Sequence, residues 1–558
     1  VPCFRGFLIY SMLMPTKRLV PLLIFALTLI FYSFTLMPSL SWGDGTKLQG
    51  DAIMGESFIL AEMPASEFRP DPYPFAKVGV AAWDHPLYIM LGHTLVRALP
   101  FVDSLWLVNF ISAVFGAAAV MLVFILCQSY TGSILASGYA SFSLAVSHTF
   151  WWNSSTPEVY TIFVFLLLMS LYLFEHYERT SHHASLFLSG FFLGLAASDH
   201  LLAFLAFPAL ALYFVLSKVY RRFSFSGPRE LALPGLGFLA GFLIYIIQFL
   251  RVSRSIPVDQ IMGPVVGSTF LSQLLKLTPA IFGESLLDYL LFLFVQFGPI
   301  GIALGLFGIR RIFQVSDMHV RKLVALYIVY AIFGILYKVT DQFAFFMTSH
   351  VFFAMAMGIG AHHLFSALSE RKCLILTSGL ALTILATPSF YAALPGLARQ
   401  AGMDDATLGI PQIGTGIRDG LAFYINPNKR GDTDAYIFGS HVVEGLAPNS
   451  VVLAEWYTDT DEYFVLRYFT TVKASRQDIS LYGWPSDDPF TFDSKLAVGV
   501  IEDAFPERPV YLASLSERFY DASNLVEIYC VAPENNLYRL YPRGDSALPC
   551  LDINSVTE

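Results

Sequence analysis

Charge is what this 558-residue chain has least of: 14% of its residues are Asp, Glu, Lys or Arg, while 55% are hydrophobic. An ordinary soluble domain carries about 25% charged residues, so a soluble globular protein is excluded. There is no basic surplus. With 34 basic against 43 acidic residues the formal net charge is -9, and no nucleic-acid partner is expected. Cysteine is scarce too. The five (Cys3, Cys127, Cys373, Cys530, Cys550) form no metal-ligand spacing. The carboxylates are scattered and make no divalent-cation motif, so neither a metal nor a cofactor is expected. Internal repeats and low-complexity tracts are absent, which argues against solenoids and disordered arrays.

Long apolar runs are abundant instead. Stretches of spanning length recur near 19–37, 104–126, 132–151, 157–175, 184–198, 200–217, 231–250, 285–307, 322–338, 343–367 and 373–395. At about 20 residues per span this predicts about eleven helices, two of them short. The run from Ala184 to Leu216 is too long for one upright helix and is interrupted by Ser198-Asp199-His200, so it is split there. Lys17 and Arg18 precede the first run. No small-x-small cleavage site follows it, so an uncleaved first helix is expected, with Met12 or Met14 as the expected start.

The distribution of basic residues gives the expected orientation. Arg179, Lys218, Arg221, Arg222, Arg229, Arg310, Arg311, Arg321, Lys322, Arg371 and Lys372 fall in alternate loops with Lys17 and Arg18. Those loops are expected in the cytoplasm, which puts both the first long loop, 38–103, and the C-terminal part outside. Within that loop Gly50 to Met63 and Pro86 to Leu99 read as amphipathic helices lying in the interface. They are separated by the Pro-rich link Arg69 to Pro74. From about Gly396 the composition turns polar and mixed. A helix is expected over Asp434 to Leu446, and strands over Ser450 to Glu455, Ile479 to Tyr482, Pro509 to Ala513, Leu525 to Val531 and Leu537 to Tyr541. Crossover helices are expected within Asp461 to Phe469 and Ser494 to Phe505. The expected fold is therefore a polytopic α-helical membrane protein, residues 1–395, followed by one small soluble α/β domain, residues 396–558. Cys530 and Cys550 are positioned to pair if that domain is extracytoplasmic.

On this topology the polar residues near helix ends gather at one face. Asp44 follows the first helix, and Asp84, His85 and Tyr88 open the second loop helix. Trp151-Trp152-Asn153 and Pro157-Glu158-Val159-Tyr160 lie at the outer turn between the third and fourth helices. Asp199 and His200 lie between the fifth and sixth, Arg251 and Arg254 follow the seventh, and Lys338 and Asp341 flank the turn before the tenth. Carboxylates and histidines at a partly desolvated face can act as acid or base, outer cations can hold a phosphate, and Trp and Tyr can stack on sugar rings. Each has a plainer reading: Trp151 and Trp152 as interfacial anchors, Arg251 and Arg254 as a helix end among headgroups, Asp199-His200 as a capped turn, Glu158 as a helix-start carboxylate, Asp44 as a turn residue.

The order of these residues resembles one family. A Trp-Gly-Asp after the first helix (Trp42-Gly43-Asp44), a His-Pro-Leu-Tyr late in the first loop (His85 to Tyr88), a Trp-Trp-x-x-x-x-x-Glu-Val-Tyr turn (Trp151 to Tyr160) and a small-residue helix ending in His200 are similar to a family of polytopic GT-C class glycosyltransferases that includes a eukaryotic protein O-mannosyltransferase. Asn426 to Gly431, Asp434-Ala435-Tyr436 and Arg508-Pro509-Val510-Tyr511 extend the likeness past the membrane part. The resemblance implies transfer of a sugar from a polyprenyl-phosphate donor to a protein or glycan hydroxyl, at the extracytoplasmic face, with Asp44 as the catalytic carboxylate. Two departures stand out. The family's Asp-Ser-Gly-Glu becomes Asp44-Gly45-Thr46-Lys47, so that Asp51 is the next acid. Its longer His-Pro-Pro-Gly-Tyr-Pro-Leu-Tyr is shortened, which brings Asp51 and Asp84 into consideration. Two other readings compete. A transporter or lipid flippase would keep ionisable residues near the midplane, as Asp199-His200 would be if its helix were continuous. A scaffold or sensor would use the acidic loop Glu455, Asp459, Asp461 and Glu462 to hold a partner.

Overall fold

The computed structural model describes residues 16–55, 85–217, 228–254, 258, 278–314, 318–339, 341–407, 410, 418–454, 462–483, 494–515, 520, 522–543 and 550–551. Asp84, the Arg69 to Pro74 link, Lys218, Arg221, Arg222 and most of the acidic loop lie outside them.

Every predicted apolar run carries a helix. They are α1 (Thr16–Thr35), α4 (Ser104–Thr131), α5 (Ile134–Ala145) with α6 (His148–Ser155), α7 (Tyr160–Thr180), α8 (His183–Asp199), α9 (Ala206–Ser217), α10 (Pro228–Val252), α11 (Pro279–Ile312), α12 (Arg321–Leu336), α13 (Gln342–Ala367) and α14 (Glu370–Gln400). Six described helices are long and apolar enough to cross a membrane, and three shorter ones are apolar. The split inside Ala184 to Leu216 is real. Helix α8 stops at Asp199, His200 is extended, and a 3-10 turn over Leu201–Leu205 leads into α9.

Small residues let the helices approach closely. A methyl group on Gly194 of α8 would come within 2.1 Å of the Phe238 carbonyl oxygen, and one on Gly241 of α10 within 2.1 Å of the Phe191 carbonyl oxygen. Glycine at these places allows α8 and α10 to pack side by side, running in the same direction. Helix α13 is almost wholly buried. Its Ala356 and Gly360 meet Gly308 and Leu304 of α11 at backbone contact distance. At the kink of α11 Gly298 takes φ 61 before Pro299, and the Val295 carbonyl accepts the Tyr391 hydroxyl at 2.8 Å.

The first loop folds down onto the bundle. Helix α2 (Asp44–Met54) starts earlier than predicted and does not lie on the surface with a solvated polar face. Its Thr46, Gln49 and Asp51 are buried and partnered: Gln49 bonds Asn109 of α4 at 2.7 Å, and Asp51 pairs with Lys47 at 3.0 Å. With those polar groups satisfied, burial costs little. Helix α3 (Pro86–Ala98) forms where predicted.

After α14 the described residues form two short helices, α15 (Gly420–Ile425) and α16 (Asp434–Gly445), and then a five-stranded sheet. Its order is β2 (Ser480–Tyr482), β1 (Val451–Leu453), β3 (Val510–Leu512), β5 (Leu537–Pro542), β4 (Tyr529–Glu534). Strand β1 is parallel to β2 and β3, while β5 is antiparallel to β3 and β4. Crossover helices α17 (Glu462–Arg467) and α18 (Ser494–Ala504) sit where predicted. One strand was placed too early. Residues Ala522–Ile528 form a helix, α19, because Ala522, Leu525 and Val526 fall at helical spacing and bury together. Cys530 and Cys550 form a disulfide.

Candidate active site

The sequence around Asp44 is held from below. Asn109 on α4 donates to the Met37 carbonyl (2.9 Å) and the Ser39 carbonyl (3.0 Å), and the Ser41 N–H donates to Gln49 (2.9 Å). Gly43 then takes φ 57, ψ -139, a conformation essentially reserved for glycine. The chain turns there, and Asp44 begins α2, where the helix dipole favours a carboxylate. Asp44 is exposed. Gly45 is required by a close approach: a methyl there would lie 2.7 Å from Ser41 Oγ and 3.1 Å from Pro157 Cγ. That contact seats Asp44-Gly45 against Pro157-Glu158, at the start of α7.

From there the predicted residues connect. Glu158 is fixed through its backbone, which both donates to and accepts from Ser112 Oγ at 3.0 Å. Tyr160 donates to Asp341 Oδ2 (3.4 Å), and its ring packs 5.3 Å from that of His200. His200 in turn packs 5.2 Å from His85, whose Nδ1 bonds the Asp199 carbonyl at 2.7 Å. Tyr88 is fully buried behind this group, donating to the Val108 carbonyl (3.2 Å). Asp199 is 1% exposed and neither carboxylate oxygen has a hydrogen-bond partner among the described residues. Asp341, just before α13, has its carboxyl pushed up to about 6, by burial first and by the negative charge of Asp44 second. The Asp44 and Asp341 carboxylates therefore sense one another.

Lys338 is engaged by Asp288 of α11 at 2.8 Å. Arg251 is exposed at the end of α10. Ser198 at the end of α8 bonds Gly241 and Tyr245 of α10, so Arg251 lies about 9 Å further along the helix axis. Asp51, held in its pair with Lys47, faces inward. Trp151 and Trp152 are neither interfacial anchors nor sugar platforms. Both are buried, donating to Thr35 Oγ1 (2.8 Å) and the Phe423 carbonyl (3.3 Å). They tie α6 to α1 and to the segment after α14. Among the described residues no three His, Cys, Asp or Glu side chains are grouped as a metal site requires.

Sequence reasoning missed several functional supports. Asn109 and Gln49 position the Asp44 loop, and their signal was polar side chains inside an apolar helix and beside a Gly-Asp-Gly. Asp288 holds Lys338. Lys429, in the post-membrane motif, is buried and bonds the Phe423 carbonyl beside Trp152.

Residues 84–222 match the family model described as Protein O-mannosyl-transferase TMEM260 N-terminal domain, a span that holds His85, Tyr88, Glu158, Tyr160, Asp199 and His200. Among solved structures the fold is similar to ArnT from Cupriavidus metallidurans. In the apo state the TM-score is 0.56 at 13% identity, covering 93% of this chain and 97% of that one. Bound to undecaprenyl phosphate, the values are 0.55, 12%, 95% and 99%. At such identity the likeness is one of fold. No curated protein sequence matches the chain.

Proposed function

We propose that this chain, a membrane glycosyltransferase of the GT-C class, moves a sugar from a polyprenyl-phosphate donor to a hydroxyl of a protein or glycan acceptor at the extracytoplasmic face. The observation that carries the reading is the meeting of three helix starts, those of α2, α7 and α13, at one accessible carboxylate, Asp44, with His200 and His85 reached beyond them through Tyr160. The interruption after Asp199 favours it over a transporter, because Asp199 and His200 close a helix instead of interrupting one at mid-depth.

In this mechanism Asp44 accepts the proton of the acceptor hydroxyl as its oxygen bonds the anomeric carbon. The bond from that carbon to the lipid phosphate breaks, and the phosphate leaves with the electron pair. A phosphate is a good leaving group and needs stabilisation of charge more than a proton. Lys338 is suited to this, since Asp288 uses one of the three donors of its ammonium group, and Arg251 is placed to meet a headgroup further out. His85, Glu158, Tyr160, Asp199 and His200 form the sugar side of the pocket; Asp84, the sequence candidate beside them, lies outside the described residues. Tyr88, fully buried, supports that side from inside the bundle.

The sidedness rests on Arg179 and Lys322, which sit with Glu175 and Glu178 at the end of the bundle away from Asp44, as a cytoplasmic face would. The disulfide in the C-terminal part agrees with an oxidising compartment. The membrane part, 1–395, would then hold the catalytic site, and 396–558 would be an outer domain that recognises the acceptor.

The test is incubation of the purified protein with a panel of polyprenyl-phosphate sugars, reading release of the lipid phosphate. Asp44→Asn should lower transfer about 10²–10⁴-fold while the protein stays folded. Wild-type transfer by that variant would remove Asp44 from the mechanism.

A further inference from the structure

A cavity of about 560 Å³ lies in the half of the bundle away from Asp44. Helices α7, α8, α9, α10 and α12 wall it, and Lys322 of α12 stands at its inner end. On α7 the wall runs from Leu167 to Tyr177, a rise of about 15 Å. That is half of the roughly 30 Å hydrocarbon core of a bilayer, so the cavity is as deep as one leaflet. Toward mid-depth the rings of Phe207 on α9 and Phe238 on α10 meet 5.6 Å apart. The polar groups of the wall are already partnered. Ser170 and Ser189 each donate to the other's carbonyl oxygen, at 2.8 and 2.9 Å. Tyr213 donates to Glu178 at 3.4 Å, Tyr177 is hydrogen-bonded to Glu230, and Lys322 is held by Glu175 and Glu178. A buried water needs two to four polar partners, which this wall does not offer, and an empty void forfeits dispersion contacts. The space suits an apolar occupant.

We infer that this cavity binds an anionic phospholipid of the leaflet on the Lys322 side, with one acyl chain between α9 and α10 and the headgroup phosphate on Arg321. Two observations choose this occupant. First, the rim faces the bilayer. Phe207, Leu210 and Gly235 line the cavity and are also exposed, so a lipid chain reaches it sideways without crossing a polar layer. Second, a cation stands at the inner end. Arg321, next to Lys322, donates from Nη1 to the Leu216 carbonyl at the end of α9, at 2.8 Å. Among the described residues no carboxylate pairs with it, and its Nε has no hydrogen-bond partner. Glu175 and Glu178 are taken up by Lys322 and Arg179. A guanidinium with donors to spare suits a phosphate. The lipid fills the space between α8 and α9, the two helices that meet at Asp199 and His200. The inference rests on the membrane setting, and not on the identity of the sugar, the donor or the base.

The test uses the full chain in nanodiscs that contain either phosphatidylglycerol or phosphatidylcholine carrying a photoreactive diazirine on one acyl chain. Cross-linked peptides are mapped by mass spectrometry. Phosphatidylglycerol should label the cavity wall, at Leu193, Leu210 and Phe238, above the lipid-facing Leu382 and Leu385 of α14. Gly235→Trp puts bulk on a wall where a methyl group meets nothing within 4 Å. It should remove most of the cavity labelling and leave that of α14 unchanged. Arg321→Gln should lower the preference for phosphatidylglycerol over phosphatidylcholine about fivefold, the equivalent of roughly 1 kcal/mol per basic side chain at a membrane surface. The comparison of the two lipids on wild type stands by itself if a variant fails to fold. Equal labelling of the cavity and of α14 overturns the site, as does absence of cavity labelling. Equal cavity labelling by the two lipids overturns the anionic occupant.

Discussion

By itself Gly43-Asp44-Gly45, a carboxylate between two glycines just beyond an apolar run, reads equally as a turn, and it is the family resemblance that singles out Asp44. The structure supplies the reason for each glycine, one for its backbone angles and one for the contact with Pro157. Asp341 was legible only as a polar residue at a helix end. That its partners are Tyr160, 181 positions away, and the charge of Asp44 is a property of the fold. The consequence is a pH effect with a definite sign. The Asp341 carboxyl, raised to about 6 from its ordinary 3.8, binds a proton more readily folded than unfolded. Its contribution to stability is therefore complete below about pH 4 and is lost as pH rises through about 6. Asp341→Asn removes the penalised charge. In thermal unfolding the variant should gain on wild type between about pH 4 and about pH 6.5, and be close to it at the acid end. A constant difference across that range would show that Asp341 does not feel this environment.

The helices themselves were largely written in the sequence, since apolar runs of spanning length have one way to satisfy their backbone in lipid. Their contacts were not. Gly190 and Gly194 read as small residues in a small-residue helix, and only the packed structure shows that α10 answers with Gly237 and Gly241. Gly235 lies on the same helix, but a methyl group there meets nothing within 4 Å. Gly241→Ala should cost about 1–3 kcal/mol of stability by forcing α8 and α10 apart, and lower transfer as well, because α8 delivers Asp199 and His200. Gly235→Ala should be near neutral in both thermal unfolding and transfer. Equal effects of the two would deny the close packing. The misplaced strand before Tyr529 has a similar origin: a short apolar run fits either period, and burial on one side of the sheet decided for a helix.

For the whole molecule, the alternation of basic loops predicts which end faces the cytoplasm, and the bundle sets Asp44 at one end and the Lys322 cluster at the other. Single cysteines placed at Lys218 and Ser440 should accordingly be labelled from opposite sides of a sealed membrane, Ser440 from outside. Labelling of both from one side would invert half of the helices and remove the extracytoplasmic assignment. The part after α14 also does more than follow the membrane part. Trp42 of the Asp44 loop packs 5.6 Å from Phe438 of α16, and the Lys429 N–H bonds the end of α1 at 2.9 Å. The segment leading into Asp44 is thereby held by residues more than 350 positions further along the sequence.

The amino-acid sequence alone determined the solvent of this protein and the places where its chain turns, because hydropathy and helix-breaking residues act locally. It also marked the turns rich in ionisable groups. The tertiary structure decided which of those groups meet and that Trp151 and Trp152 are buried. Those outcomes depend on contacts between segments far apart in the chain, where close packing and the pairing of buried polar groups, not local composition, set the free energy.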